Sequence, residues 1–154
     1  MSTIITVLNG PNLNFLGKRE PEIYGTETLE NIENLCRSWA TRAGIRVDFH
    51  QSNHEGQLVE WIQEAIGVSV GLIINPAAYS HTSVAILDAL KMFTGTKVEV
   101  HLSHIYQREA FRHHSYTLAG VDAIIAGCGG DGYWLALEYI AKKLKFGIEG
   151  SKLV

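Results

Sequence analysis

Cysteine is scarce in this sequence, with only Cys36 and Cys128 among 154 residues. The two lie far apart and form no CxxC motif, which argues against a disulfide framework and against a cysteine-based zinc site of the usual spacing. Unpaired thiols are typical of proteins from a reducing compartment, and we therefore expect a cytoplasmic protein.

Long apolar runs and clusters of one charge are also lacking. No apolar segment approaches the roughly 20 residues that span a bilayer, and the N-terminus lacks the pattern of a signal peptide. The net charge of −3 and the isoelectric point near 6.1 do not favour binding to nucleic acid or to an anionic membrane. With 46% apolar residues, the chain has the composition of one globular domain, expected to span residues 1–154.

Strand and helix patterns alternate along the chain. Strands are predicted at 4–8, 45–50, 70–74, 97–101 and 121–126, the second near a sheet edge. Helices are predicted at 27–43, 58–66, 83–93 and 133–146, with a short helix around 108–112 and a loose tail after 147. This alternation predicts a doubly wound parallel sheet of flavodoxin-like order 2-1-3-4-5, with helices on both faces.

Three polar clusters follow strands of this sheet at the same edge. They are residues 9–24 after strand 1, 75–83 after strand 3, and 101–112 after strand 4. Ligands in such a sheet bind beyond the carboxyl ends of the strands, where the winding direction reverses between strands 1 and 3. We therefore expect the three clusters to meet in one crevice.

The first cluster is too long for an ordinary strand-to-helix connection of about 2–6 residues. A tyrosine acts as a base only when ionised, and a neighbouring cation favours that form. Tyr24 has such a neighbour in Arg19, and Gly17 and Gly25 flank the pair as candidate hinges. The alternative is a surface loop with an ordinary exposed tyrosine.

The second cluster contains helix-capping and hydroxyl-binding side chains. Thr82 or Ser83 can cap the helix that follows. Asn75 and His81 are then left to contact a ligand, as neutral groups that suit hydroxyls better than phosphates. The alternative is a turn whose polar residues serve only the cap.

The third cluster pairs a carboxylate with a histidine. Glu99 and His101 lie two residues apart on one strand, so they share a face. A carboxylate beside a histidine sets its tautomer and keeps it protonated, which suits a general acid.

Groups that bind anions or hydroxyls follow this pair. The backbone N–H groups of Leu102 and Ser103 can receive a carboxylate. Arg108 and Arg112 are one helical turn apart and share a face of the short predicted helix. The alternative is a solvated basic helix face.

Two other kinds of site find weaker support. The chain has seven histidines, but neither His101-x-x-His104 nor His113-His114 fits a standard zinc pattern, so we expect no metal. Residues 127–132 match GxGxxG, yet no further strand completes the βαβ unit that binds a dinucleotide. The glycines there suit close packing of a strand against a helix.

A non-catalytic flavodoxin-like module that binds FMN or another small molecule is the alternative function. Such a module typically has a Ser/Thr/Gly-rich loop after strand 1 that binds the phosphate. Residues 9–14 offer asparagine and proline instead.

Four segments match, in chain order, the pattern of the type II 3-dehydroquinate dehydratases: 9–25, 51–56, 74–85 and 99–112. The first begins Asn-Gly-Pro-Asn-Leu-Asn and ends Arg-Glu-Pro-x-x-Tyr-Gly, and the last begins Glu-Val-His-Leu-Ser. The sequence closely resembles this family along essentially its whole length. The resemblance implies a flavodoxin-like hydro-lyase of the shikimate pathway. Its members convert 3-dehydroquinate to 3-dehydroshikimate by anti elimination through an enolate, without cofactor, metal or Schiff base.

The resemblance also implies four catalytic roles. Tyr24 is the base that removes the proton next to the ring ketone, and Arg19 helps to hold it as tyrosinate. Asn12 orients a water that stabilises the enolate. His101 protonates the departing C1 hydroxyl.

Five further residues bind substrate by the same resemblance. Asn75 assists at the C1 hydroxyl, and the backbone of Leu102 and Ser103 receives the substrate carboxylate. His81 and Arg112 bind ring hydroxyls.

Two of the remaining residues, Glu99 and Arg108, have supporting roles, and Asp88 is a sixth substrate-binding residue. Glu99 orients His101, and Arg108 is a second cation near the tyrosine loop. Asp88 reaches a neighbouring subunit's site, because the family assembles as trimers grouped into dodecamers. One position departs from the family, which commonly has asparagine where this chain has His104.

Overall fold

Five parallel strands form one sheet in the computed structural model, which describes residues 2–148. The strands are β1 (Ile4–Asn9), β2 (Arg46–Gln51), β3 (Gly71–Asn75), β4 (Thr96–His101) and β5 (Ala123–Ala126). Their order is β2-β1-β3-β4-β5, and every pair is parallel. The predicted fold is confirmed, with β2 at an edge.

Helices cover both faces of the sheet. They are α1 (Pro21–Tyr24), α2 (Leu29–Ala43), α3 (Glu55–Ala65), α4 (Val84–Met92) and α5 (Asp131–Ile148). Helices α2 and α5 share one apolar core with the sheet, and α3 and α4 share the other. Strands β1 and β3 are therefore buried on both faces, which explains their nearly continuous apolar sequence. Within residues 2–148, no helix combines the length and apolarity needed to cross a membrane.

Capping side chains set the helix boundaries more sharply than the apolar pattern did. The Thr28 hydroxyl accepts from the Asn31 N–H while the Asn31 side chain accepts from the Thr28 N–H, so α2 begins at residue 29 rather than 27. Gly44 ends α2 in the left-handed conformation, and Ser83 caps α4. Helix α3 begins three residues before the predicted start and ends one residue early.

The last strand and helix also differ from prediction. Strand β5 begins at Ala123 rather than 121, because Asp122 turns the chain toward Lys97 through a backbone and a side-chain hydrogen bond. Helix α5 starts two residues earlier and ends two residues later than predicted. The predicted loose tail, 149–154, lies outside the described residues.

The short helix predicted around 108–112 is confirmed only in part, as a 3₁₀ helix at Ala110–His113. Two 3₁₀ turns occupy this region, Ile105–Gln107 and Ala110–His113, with extended backbone at Arg108 and Glu109 between them. The Arg108 side chain runs to the Ser103 hydroxyl, 3.3 Å away, and to the ring of Tyr24. These tertiary contacts replace the continuous helix.

Candidate active site

A cleft opens at the carboxyl ends of β1, β3 and β4. This is the crevice that the strand order predicts. Ten of the sequence-predicted site residues line it: Asn12, Arg19, Tyr24, Asn75, His81, His101, Leu102, Ser103, Arg108 and Arg112. Glu99 lies behind His101, whereas Asp88 is exposed on α4 and lies outside the cleft lining.

The segment that carries Tyr24 forms a compact flap, defined here as residues 17–26. Its two ends meet, because a Cβ on Gly17 would lie 2.9 Å from the Thr26 carbonyl oxygen. Gly17 has φ 86° and Gly25 has φ 77°, so both candidate hinges occupy backbone conformations that favour glycine. Between them, α1 presents Tyr24 to the cleft.

Two guanidinium groups face the half-buried ring of Tyr24. The Arg19 Cζ lies 5.2 Å and the Arg108 Cζ 5.1 Å from the ring centroid. Arg19 belongs to the flap and also pairs with Glu20 at 3.2 Å, whereas Arg108 comes from the segment after β4. The Tyr24 ring therefore lies beside two guanidinium groups that stay positively charged.

His101 is bonded to a fully buried carboxylate. Its Nε2 lies 2.6 Å from Glu99 Oε2, and Glu99 has no exposed surface. The Nε2–H therefore donates to Glu99, and Nδ1 is left for the cleft. The hydrogen bond fixes the orientation of the His101 ring.

Two hydroxyls that sequence reasoning missed complete the surroundings of Glu99. Ser80 Oγ donates to Oε2 at 2.7 Å and Thr117 Oγ1 donates to Oε1 at 2.5 Å. The two hydroxyls supply hydrogen-bond donors to both oxygens of this buried carboxyl group. Ser80 lies within the second polar cluster, but Thr117 is 18 residues beyond Glu99 and carried no signal in the sequence.

His81 lies beside His101, with the two rings stacked and their centroids 6.2 Å apart. Burial lowers the pKa of His81, which favours the neutral imidazole. Its Nδ1–H donates to the His114 carbonyl at 2.7 Å, so Nε2 remains as a hydrogen-bond acceptor. A neutral acceptor of this kind suits a ligand hydroxyl.

Asn75 is held from two sides at the end of β3. Its Nδ2 donates to the Tyr133 hydroxyl at 3.0 Å, and its Oδ1 accepts from the Ala77 N–H at 3.1 Å. Tyr133 is fully buried at the start of α5, where sequence reasoning saw only the first residue of a helix.

Asn12 adopts a left-handed conformation with φ 69°, and the segment after β2 fixes its backbone. The Asn12 N–H donates to Asn53 Oδ1 at 3.0 Å, and Gln51 Nε2 donates to the same oxygen at 3.2 Å. The Asn12 side chain forms no hydrogen bond with another described residue, so it is available to a ligand or to water.

The other residues and motifs considered in the sequence, His104 and the glycines at 127–132, lie outside the cleft lining. His104, the departure from the family pattern, packs edge-on against Tyr106 and does not line the cleft. The glycines at 127–132 follow β5, and a Cβ on Gly132 would lie 3.1 Å from Val100, which fits close strand-to-helix packing. Within residues 2–148, no group of three or more potential ligands could hold a metal ion.

Comparison with known proteins gives one consistent result. A family model described as dehydroquinase class II matches residues 3–141. The 3-dehydroquinate dehydratase of Bartonella henselae is 85% identical over 143 residues, which cover 93% of this chain and 97% of that protein.

Solved structures agree with the sequence matches. The type II dehydroquinase from Propionibacterium acnes superposes with a TM-score of 0.88 at 44% identity, covering 92% of this chain and 98% of that one. The type II dehydroquinase from Butyrivibrio crossotus superposes with a TM-score of 0.87 at 43% identity, covering 91% and 98%.

Proposed function

The chain belongs to the class II dehydroquinase family, and from this premise we propose that it dehydrates 3-dehydroquinate to 3-dehydroshikimate in the shikimate pathway. The observation that supports this best is one cleft lined by a tyrosine between two arginines and by a histidine on a buried glutamate. Removing a proton next to a carbonyl needs a base, and expelling a hydroxyl needs an acid. The alternative, a non-catalytic FMN-binding module, is not favoured, since the relatives are named dehydratases.

The first step takes the proton from the carbon next to the ring ketone. Tyr24 acts as the base that accepts it, and Arg19 and Arg108 place positive charge beside its ring. The electron pair of the broken C–H bond moves into the ring as an enolate. Asn12 orients a water against the enolate oxygen, which its unpartnered side chain permits.

The second step expels the C1 hydroxyl. His101 protonates this hydroxyl as the enolate electrons form the new carbon–carbon double bond, and water leaves. The Glu99 carboxylate accepts a hydrogen bond from His101 Nε2 and holds the ring in place for this transfer. Asn75 contributes an amide hydrogen bond to the departing oxygen.

Substrate binding is assigned to groups on the same cleft. The backbone of Leu102 and Ser103 receives the carboxylate of 3-dehydroquinate. His81, as a neutral acceptor, and Arg112, as a donor, bind ring hydroxyls. The chemistry runs on side chains alone and without a cofactor.

Assembly and location complete the proposal. One catalytic domain spans 1–154 and works in the cytoplasm, as trimers grouped into a dodecamer. Asp88 reaches a neighbouring subunit's cleft, which its exposed position on α4 permits. Large exposed apolar side chains such as Phe111, 63% exposed, and Val84, 50% exposed, support burial against other subunits. The mass of the particle in solution tests this part: a monomer would contradict it.

The activity is tested by following enone absorbance after adding 3-dehydroquinate. Tyr24→Phe keeps the ring between the two guanidinium groups but removes the base. We expect kcat to fall by about 100-fold or more, the usual contribution of a general base. Tyr106→Phe is the matched control, since Tyr106 is 51% exposed and lies outside the cleft lining.

Two results would contradict the proposal. The first is a wild-type chain that forms no enone. The second is a Tyr24→Phe variant as active as the Tyr106→Phe control, which would refute the role of Tyr24 while leaving the reaction in place.

A further inference from the structure

A buried chain of hydrogen bonds joins Asn75 to the start of α5 and to the end of β1. Asn75 Nδ2 donates to the Tyr133 hydroxyl at 3.0 Å, and this hydroxyl donates to Asn9 Oδ1 at 2.6 Å. Asn9 Nδ2 in turn donates to the His50 carbonyl at 2.9 Å. Asn9 and Tyr133 have no exposed surface, and Asn75 is 2% exposed. Of the three side chains, only Asn75 lines the cleft.

Backbone groups at both ends determine which group donates and which accepts in each of these hydrogen bonds. The His50 carbonyl can only accept, so Asn9 presents its NH₂ there and its oxygen to Tyr133. The Ala77 N–H can only donate, so Asn75 presents its oxygen there and its NH₂ to Tyr133. The tyrosine hydroxyl must therefore accept from one asparagine and donate to the other.

This arrangement requires Tyr133 to keep its proton. Burial raises the pKa of the Tyr133 hydroxyl above its ordinary value, which favours the neutral form. The buried hydroxyl therefore acts as a fixed link between the two amides. The Tyr133 hydroxyl cannot exchange a proton with a ligand in the cleft, because its hydrogen bonds are made to Asn9 and Asn75.

We propose that Tyr133 is a positioning residue for the dehydration, acting through Asn75. It holds the amide so that the second N–H of Asn75, unpartnered among the described residues, meets the departing hydroxyl. Without the link, the amide is held only through its oxygen by the Ala77 N–H, and its NH₂ group loses the partner that fixes its alignment. The inference rests on the proposed function, and in particular on the role of Asn75.

The test is Tyr133→Phe, which keeps the ring but removes the hydroxyl. We expect kcat to fall by about 10-fold while KM changes by less than about twofold, because a misaligned group loses an interaction made only in the transition state. Tyr139→Phe is the matched control on the same helix, since Tyr139 does not line the cleft, and should keep wild-type kcat.

A double-mutant cycle separates positioning from a general structural role. In the Asn75→Ala background, Tyr133→Phe should change kcat by less than about twofold, because the group through which it acts is gone. A fall in kcat that is equal in both backgrounds would overturn the inference, and so would wild-type kcat in Tyr133→Phe. If wild type itself forms no enone, the proposed function fails, which is a distinguishable result.

A second variant covers the case in which Tyr133→Phe does not fold. Asn9→Ala removes the acceptor that orients the Tyr133 hydroxyl, and it lies outside the cleft lining. We expect a fall in kcat of about threefold that disappears in the Asn75→Ala background. If the threefold fall persists there, the inference is overturned.

Discussion

The hydroxyl of Thr117 should stabilise this protein by stabilising the buried charge of Glu99. Thr117→Val removes the hydroxyl while nearly preserving side-chain shape, and Thr117 is fully buried. A hydrogen bond to a charged group contributes about 1.5–3 kcal/mol. Glu99 keeps its bonds from Ser80 and His101 in the variant, so we expect a loss in this range and no larger.

Thermal unfolding followed by circular dichroism measures this loss. For a domain of 150–250 residues, 1 kcal/mol lowers Tm by about 2–4 °C, so the expected fall is about 3–12 °C. Thr117→Ser retains the donor and should recover most of the Tm. In a Glu99→Gln background, the cost of Thr117→Val should drop to about 0.5–1.5 kcal/mol, the value for a neutral hydrogen bond.

The reasoning is refuted by either of two results. One is a Thr117→Val variant whose Tm equals that of wild type. The other is a cost that stays the same after Glu99→Gln, because the loss then comes from packing rather than from the carboxylate charge.

Three further predictions concern backbone packing, thiol chemistry and pH. Gly10→Ala should lower the free energy of unfolding by about 1–3 kcal/mol, because its Cβ would lie 2.5 Å from the Pro76 carbonyl oxygen. Gly56→Ala, in α3 with open space around it, should raise the same free energy by about 0.4–1 kcal/mol in denaturant titrations. A thiol reagent should modify the exposed Cys128 in the native protein but not Cys36, because burial raises the pKa of Cys36 to about 12. Burial also lowers the pKa of His81 in the folded state. Below about pH 6.5 the unfolded chain therefore binds more protons than the folded chain, and the free energy of unfolding should decrease as the pH is lowered below that value.

Each of these has a simple control. Equal effects of the two glycine substitutions would contradict the packing argument, and fast labelling of Cys36 in the native protein would contradict its burial. For the pH effect, denaturant titrations at pH 7 and pH 5 are compared between wild type and His81→Gln. A difference between the two pH values that is unchanged in His81→Gln would assign it to other groups.

The sheet order could be predicted because strands that alternate with helices, joined by short right-handed crossovers, favour it. Strands β1 and β3 are apolar on both faces, while β2 alternates, and this difference distinguishes buried strands from an edge. Glycine and capping residues then mark the ends of several helices. The segment at 105–113 could not be predicted this way, because the contact of Arg108 with Tyr24, distant in sequence, determines its backbone.

The site residues can also be separated into those that sequence patterns predict and those that depend on contacts distant in sequence. Residues in the clusters after β1, β3 and β4 could be predicted, since the strand order brings those clusters together. Thr117 and Tyr133 act through hydrogen bonds to Glu99 and Asn75, which lie 18 and 58 positions away, and no sequence periodicity indicates such bonds. Their contribution becomes visible only when the chain is folded.

The amides that end β1 and β3 have a consequence for sheet assembly. Both strands are apolar along most of their length, so their apolar side chains do little to fix the register of one strand against the other. Asn9 and Asn75 are direct partners across the β1–β3 ladder, and both bond to the hydroxyl of Tyr133. A shift of one or two positions would leave a buried amide unpaired, at a cost of about 1–3 kcal/mol. Asn9 and Asn75 thus also specify the correct register of the two central strands. A chain that assembles its sheet out of register would therefore fail to form the active-site cleft as well.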